Sequence, residues 1–535
     1  MKKALSLVLF AAMLISLFAF NINAAWDGTS VSASLKGEGT ADSPYIVETA
    51  EDLAYLAKSV NEGTTYEGKY IVQTADIDLG GKEWTPIGTS AHPFSGVYNG
   101  YGKSVSGLSI TQKIAASGLF GYVASGATCS AGIANLNVSG SITLTESNAS
   151  DGIGGLSGWF YKDSTTLAHP ITVTNCNVDV DITISNDTKE CRVGGVAGYA
   201  FCTVFENVVN NGDVYSNSNA PSRVGGIIGQ GNRDTFVNCV NNGKITSIVN
   251  DNANKDKGKH ISVAGFVGML TAKVNGEYTT FLNCVNNGDV TGHSTLTNSS
   301  NASVGGFIGG TYTPSGINGM YLKIEKCLNT GKITSKVDSS VNTYYPYAGG
   351  MISYINKAHC AVIDCVGAGE IVSEGGAGSR AGGINGVMHK ENEATLYSQN
   401  CSTTAAKING YTKNNGQEGC QVGLAADVIA PMANAITSAI TSSQSNIAGF
   451  PTASDSIPEE APETTEPAPE TTEPAPETTE PAPETTEPAP ETTEPAPETT
   501  EPGSSTPTGD SALIFVAIAI ISLIGVAVIA KRREN

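Results

Sequence analysis

The chain has little positive charge and no local grouping of nucleophiles or metal ligands. Lysine and arginine supply only 30 of its 535 residues. They form no basic patch, which argues against a nucleic-acid partner. Eleven cysteines are present, but no Cys-x-x-Cys pair. The six histidines (His92, His169, His260, His293, His359 and His389) show neither His-x-x-x-His nor His-Glu-x-x-His spacing, so zinc chemistry on a helix is not indicated. No Gly-x-x-x-x-Gly-Lys-Ser/Thr loop exists to cradle a phosphate. No catalytic residue is assigned and no cofactor is required.

What the chain has is glycine at regular places. The motif reads Gly118-Leu-Phe-Gly121, Gly154-Gly-Leu-Ser-Gly158, Gly194-Gly-Val-Ala-Gly198 and Gly225-Gly-Ile-Ile-Gly229. It continues as Ala264-Gly-Phe-Val-Gly268, Gly305-Gly-Phe-Ile-Gly309, Gly349-Gly-Met-Ile-Ser353 and Gly382-Gly-Ile-Asn-Gly386. Gly155, Gly195, Gly226, Gly265, Gly306, Gly350 and Gly383 are spaced 31 to 44 residues apart. A fixed period of this size signals a repeat architecture, in which each unit needs only its neighbours.

Each central repeat holds the glycine segment, then a strand with asparagine and cysteine, then a tight turn and a short strand. Thr235-Phe-Val-Asn-Cys-Val-Asn-Asn-Gly243 and Phe281-Leu-Asn-Cys-Val-Asn-Asn-Gly288 show the pattern. Cysteine stands four residues before the turn glycine at Cys239, Cys284, Cys327 and Cys365, and Val208 takes its place once. A place that valine also fills is an apolar interior place. An inward ladder of Cys176, Cys239, Cys284, Cys327 and Cys365, extending toward Cys401, is expected. Cys191–Cys202 and Cys401–Cys420 are candidate disulfide staples. Three strands per turn indicate an all-β fold, a right-handed parallel β-helix, with a β-propeller as the rival. The excess length predicts loops at 249–258, 270–278, 312–320 and 336–345, gathered on one face or alternating between two places.

The ends set the address. Lys2, Lys3 and an apolar run from Ala4 to about Phe20, before Asn23-Ala-Ala25, make residues 1–25 a signal peptide. Residues 26–115 form an N-terminal cap and first coils. Within them Thr49 and Asp52 predict a capped helix through about Val60, with Leu53, Leu56 and Val60 on one side. The repeats fill 116–410 and a closing segment fills 411–455, with a helix expected over Leu424 to Thr441. From 456 to 511 runs a disordered Pro/Glu/Thr stalk. Its Ala-Pro-Glu-Thr-Thr-Glu-Pro unit occurs six times, and in an extended polyproline form its 42 residues reach roughly 130 Å. Glu459, Glu460 and the twelve glutamates of the six repeats are 14 of the 51 acidic residues, so the net charge of −21 overstates the acidity of the head. Residues 512–530 are uncharged and, as a helix, span about 28 Å, enough to cross a bilayer once. Lys531, Arg532 and Arg533 in the tail, 531–535, then face the cytoplasm.

Two resemblances follow from these residues. Ser505-Thr-Pro-Thr-Gly509, the apolar run and the basic tail resemble a Gram-positive cell-wall sorting signal. Thr508 and Gly509, the bond a sortase would cut, are kept; the family's leucine and proline are missing at 505 and 506. Membrane anchoring and wall attachment both remain open, and either places the head on the extracellular face of a bacterial cell. Glu51-Asp-Leu53, Asp76-Ile-Asp-Leu79, Trp84-Thr-Pro-Ile-Gly88, Phe94-Ser-Gly-Val-Tyr-Asn-Gly100 and Gly118-Leu-Phe-Gly121 resemble bacterial surface proteins with GLUG-type, adhesin-like repeats. That resemblance implies a scaffold that binds a polysaccharide, glycan or host-surface protein.

Candidate sites are few. Asp76 and Asp78 sit two apart, on one face of a strand, and so do Asp179 and Asp181. Such pairs suit calcium or a glycosidic bond, and they equally suit turn amides. Tyr312, Tyr321, Tyr344, Tyr345 and Tyr347 could form a platform on which sugars stack. Adhesion or glycan capture is the expected function. A polysaccharide lyase or glycoside hydrolase and a structural envelope component are the alternatives.

Overall fold

Glycine pairs and asparagine corners fold each coil. In the computed structural model of the protein, Val224-Gly-Gly-Ile-Ile-Gly229 is not one strand. The chain runs as Arg223–Gly225, turns at Gly226-Ile227, and resumes as Ile228–Gly231. Thr235–Val237, Val240–Asn241 and Ile245–Val249 complete the coil. A central coil therefore has five short strands where three were expected. Periodicity reads straight through a glycine pair, because it cannot register a corner that the missing Cβ permits.

The structure describes residues 26–403 except 127–128, 146–150, 162–168, 188–189, 221–222, 251–258, 274–276, 297–299, 318, 339–344, 377–378 and 389–393, and then 408–409 and 420–422. The expected signal peptide, the helix over 424–441, the stalk, the membrane span, Thr508, Gly509 and Tyr344 lie outside the described residues. No helix among the described residues is long and apolar enough to cross a membrane.

Equivalent strands of successive coils pair in parallel. Arg223 registers with Arg192 on one side and Ser262 on the other. Sheet 1 stacks eight strands from Ala116–Ser117 to Arg380–Gly382. Sheet 2 stacks eight, from Phe120–Val123 to Asn385–Met388. Sheet 3 stacks eleven, from Tyr45–Val47 to Thr395–Gln399. Sheet 4 takes the remaining strands, from Ile77–Asp78 to Cys420–Val422. Over the central coils it has two columns, so Ile245–Val249 pairs with Val290–Ser294 while Val240–Asn241 pairs with Val285–Asn286. The chain is a parallel β-helix. The stretches expected as loops follow a sheet 2 strand at 270–278 and 312–320 and a sheet 4 strand at 249–258 and 336–345, and residues 251–258, 274–276, 318 and 339–344 within them lie outside the described residues.

The repeat glycines and the turn asparagines explain each other. Asn210, Asn241, Asn286 and Asn329 are fully buried, one per coil. Each donates one amide N–H to a carbonyl two residues on, and the other to the next asparagine at 2.7–2.8 Å where a next one follows. The second motif glycine lies flat against this ladder. A Cβ on Gly195, Gly226, Gly265 or Gly306 would sit 2.2–2.7 Å from an atom of the adjacent asparagine amide. A second asparagine column, Asn135, Asn175, Asn207, Asn238 and Asn283, turns the corner from sheet 3 to sheet 4 with φ of 50–55°. Asparagine tolerates this left-handed conformation better than most residues.

Lys326 and Asp364 take the same left-handed corner in two later coils, and Asn400 in the next. The residue after each corner position points inward, which puts Cys176, Val208, Cys239, Cys284, Cys327, Cys365 and Cys401 in one buried column. All are free thiols except the valine. Burial pushes the Cys176 thiol up to about 12, so it stays protonated. No disulfide joins Cys191 to Cys202. The expected staple between them is absent because Cys191 packs into the main core and Cys202 with Tyr199 and Phe201. Cys401 is free as well, although its backbone registers with Cys420.

Phenylalanines fill the middle of the core. Phe205, Phe236 and Phe281 stack face to face at 5.1 and 4.6 Å, and Phe266 stacks on Phe307 at 4.6 Å. Each fully buried ring contributes about 1.5–3 kcal/mol. At the N-terminal end the helix Ala50–Asn61 carries the expected capping box between Thr49 and Asp52. Its Leu53, Leu56 and Val60 join the same core, as does Trp84, whose Nε1 donates to Leu119 O at 3.0 Å.

Candidate binding surface

Alternation along the strands of sheet 3 turns every second side chain to solvent. In Glu277–Leu282 and Met320–Glu325 this exposes Tyr278 and Tyr321, which are in register. Their rings stack at 4.9 Å with 16° between planes, and His359 lies 5.1 Å beyond Tyr321 in the next coil. Tyr278 is 63% exposed and Tyr321 39%. Three coils thus line up a row of rings, with His359 tilted 34° from Tyr321. Tyr312, at the end of its sheet 2 strand, is 52% exposed.

An exposed polar ladder lies beyond the corner. Asn211, Asn242 and Asn287 each donate a side-chain N–H to the asparagine one coil before, Asn177 being the first acceptor, at 2.7–2.9 Å.

The corner between sheets 1 and 2 carries a second aromatic row, which the sequence reading missed. Tyr122, Trp159 and Tyr199 are in register. Tyr122 stacks on Trp159 at 5.6 Å, and Trp159 lies 4.5 Å from Tyr199. The Arg192 guanidinium sits 5.3 Å over the Trp159 ring and 5.6 Å over Tyr199. Gln230 Oε1 accepts from Arg192 Nε and Arg223 Nη1, and Glu190 pairs with Arg223. Trp159 Nε1 is buried with no hydrogen-bond partner among the described residues. The signal lay in recurrence from repeat to repeat: an aromatic residue directly follows the last motif glycine at Tyr122, Trp159 and Tyr199, and arginine precedes the motif at Arg192 and Arg223.

The remaining tyrosines divide. Tyr345 and Tyr347 stack at 6.1 Å, and Tyr347 lies 5.7 Å from Tyr354. Arg380 covers Tyr345 at 4.1 Å. Tyr347 is only 4% exposed, and burial pushes its hydroxyl up to about 12. It packs in the corner and is not part of an open platform with Tyr312 and Tyr321, because its strand belongs to sheet 1 while theirs belong to sheets 2 and 3.

The carboxylate pairs serve turns. Asp76 Oδ1 accepts from Ser104 N and Ser104 Oγ at 2.8 and 2.9 Å, which holds its carboxyl below the usual range. Asp78 accepts from Gly80 N at 2.8 Å. Asp181 accepts from Asp213 N, and Asp213 from Lys244 N, one coil further each time. Among the described residues no group of three or more His, Cys, Asp or Glu side chains gathers to hold a metal. His92 Nδ1 lies 2.9 Å from Asn61 O in the cap, far from any nucleophilic pairing.

No family model matches the chain. It is similar to a "Putative Gly-rich membrane protein" of Evansella cellulosilytica, with 34% identity over 127 residues, which are 23% of this chain and 14% of that protein. It is also similar to halomucin of Haloquadratum walsbyi, with 28% identity over 183 residues, 32% of this chain and 2% of that protein. The chain therefore matches only a small part of these much longer relatives. A crystal structure of a "putative immunoglobulin A1 protease" from Bacteroides ovatus matches 75% of this chain and 89% of its own, at 16% identity and a TM-score of 0.35.

Proposed function

We propose that this repeat protein is displayed on the outside of a cell and captures glycans along the outer face of its β-helix. The exposed ring row Tyr278–Tyr321–His359 carries this reading. Sugar rings present flat C–H faces, which pack against exposed aromatic surface, and Tyr278 at the end of the row is 63% exposed. These three rings are held by parallel backbone pairing, so little side-chain freedom is lost on binding. The polar side chains of Asn211, Asn242 and Asn287 present a second row at the same one-coil repeat, suited to hydroxyl groups. The names of the relatives, a membrane protein and a halomucin, support a surface location. The amino-terminal and carboxy-terminal segments of the sequence support export and anchoring, with wall attachment resting on Thr508 and Gly509.

The test applies the full-length chain, purified in mild detergent, to immobilised plant, mucin and bacterial polysaccharides. Saturable binding to one class, weakened about tenfold by Tyr321→Ala, is expected, since loss of one stacked ring costs on the order of 1.4 kcal/mol. Binding that survives replacement of both Tyr278 and Tyr321 by alanine would remove this face from the proposal. Absence of binding across the panel would leave a structural envelope role.

A further inference from the structure

Sheet 2 ends in a second cluster of rings, separate from the exposed row. Tyr161 and Phe201 are in register on neighbouring strands, with centroids 5.9 Å apart, and Tyr199 lies 6.3 Å from Tyr161. Tyr199 and Phe201 are 3% and 5% exposed. A cation of this chain lies over them. Lys273, in the turn after the sheet 2 strand Val267–Thr271, reaches back across the stack. Its Nζ lies 4.3 Å from the Phe201 centroid, 4.6 Å from Tyr161 and 5.6 Å from Tyr199. All three distances fall within the range of a cation–π contact.

The surroundings favour a cation as well. Glu277, 4% exposed, closes the turn by accepting from Lys273 N at 2.6 Å. Its carboxylate acts electrostatically on the Tyr199 hydroxyl. Asn232, just beyond the sheet 2 strand Ile228–Gly231 and 1% exposed, keeps both polar side-chain atoms without a hydrogen-bond partner among the described residues.

We propose that Tyr161, Tyr199 and Phe201 form a binding site for a quaternary ammonium group of the choline type, and that the Lys273 ammonium is its built-in occupant. A primary ammonium is strongly hydrated and gives up water reluctantly to sit on rings. A trimethylammonium group is weakly hydrated and fits a cage of ring faces better. Lys273 is an exposed residue, so its ammonium can turn to solvent when such a ligand arrives. Until then it shields rings that would otherwise be an exposed apolar patch. This site does not depend on glycan capture, and its ligand is of a different chemical class.

The test titrates tetramethylammonium, choline and phosphocholine into the full-length chain, with calorimetry and tyrosine and tryptophan fluorescence as readouts. Tetramethylammonium alone should bind the wild type. Lys273→Ala, which removes the competing cation, should tighten binding about three- to fivefold, the worth of an exposed cation–π contact. Phe201→Leu keeps an apolar side chain without a ring face and should abolish binding. Its melting temperature and that of Lys273→Ala are compared with wild type so that loss of fold is not mistaken for loss of site. The uncharged isostere 3,3-dimethylbutanol should fail to bind. Equal binding of that alcohol, unchanged or weaker binding by Lys273→Ala, or binding of phosphocholine without tetramethylammonium would each overturn the proposal.

Discussion

Gly265→Ala probes the reason for the glycine repeat. The new Cβ would lie 2.2 Å from Asn286 Oδ1, 2.3 Å from its Cγ and 2.5 Å from Gly306 O. None of these atoms yields easily. Asn286 donates to Asn329 Oδ1 at 2.7 Å and to Gly288 O at 3.0 Å, and it accepts from Asn241 Nδ2 at 2.8 Å. Overpacking costs about 1–3 kcal/mol, and each strained or lost amide bond adds about 1 kcal/mol. The sum is about 3–5 kcal/mol, concentrated in two neighbouring coils. Hydrogen exchange is the suitable assay, because a solenoid opens locally and a single melting temperature averages over coils. Amides of 261–271 and 285–294 should lose protection while those of the cap keep theirs. The decisive comparison is a cycle with Asn286→Ala. That change alone leaves Asn241 Nδ2 and Asn329 Oδ1 buried with a lost partner, about 1–3 kcal/mol each. It also removes two of the three atoms that the new Cβ meets. The double mutant should therefore be more stable than the sum of the singles by about 1 kcal/mol or more. Strict additivity would refute the claim that glycine is there to admit the asparagine.

Three further outcomes follow from the interior. Cys284→Val should change stability by less than about 1.5 kcal/mol, as volume-conserving apolar swaps do, because Val208 already occupies that column; a larger loss in denaturant titration would show that the thiols do more than fill space. Thiol-specific reagents should leave Cys176, Cys239, Cys284 and Cys327 unmodified in the folded protein and label them after unfolding, and rapid native labelling would contradict their burial. Asp234 is buried and its carboxyl is pushed up to about 8 by loss of solvation. The folded state then holds a proton that the unfolded state releases near pH 4, so this group's contribution is full below that pH and falls away as pH rises to about 8. By pH 7 the loss is at most about 4 kcal/mol, and Asp234→Asn should flatten the fall in denaturation midpoint between pH 5 and 8. A wild-type midpoint that rises through this window would mean that the backbone N–H groups of Thr203 and Asn232, which donate to the carboxylate, outweigh desolvation.

The parts of this molecule that repeat within a single coil were legible in the sequence, and the parts created between coils were not. The cysteine column needed only a constant offset from the turn glycine, and the capping box at Thr49 needed only four consecutive residues. The corner at Gly226-Ile227 was hidden because an apolar stretch through glycine looks the same whether straight or bent. Tyr347 shows the harder limit. Its neighbours in sequence suggested an exposed aromatic loop, yet its place in sheet 1 turns it toward Tyr354, a residue of sheet 2. Trp159 shows the converse. As a lone aromatic after a glycine it carries no functional signal. Once Tyr122 and Tyr199 are stacked above and below it, and Arg192 is laid over the pair, it becomes part of an aromatic surface that spans three coils. Neighbouring members of that surface stand about a coil apart in the chain, so no local window contains two of them. In a parallel β-helix a binding face is a column across coils, and it becomes readable only when the register is known. The register here is fixed by the glycine–asparagine fit, so the same residues that build the solenoid also decide which rings meet on its surface.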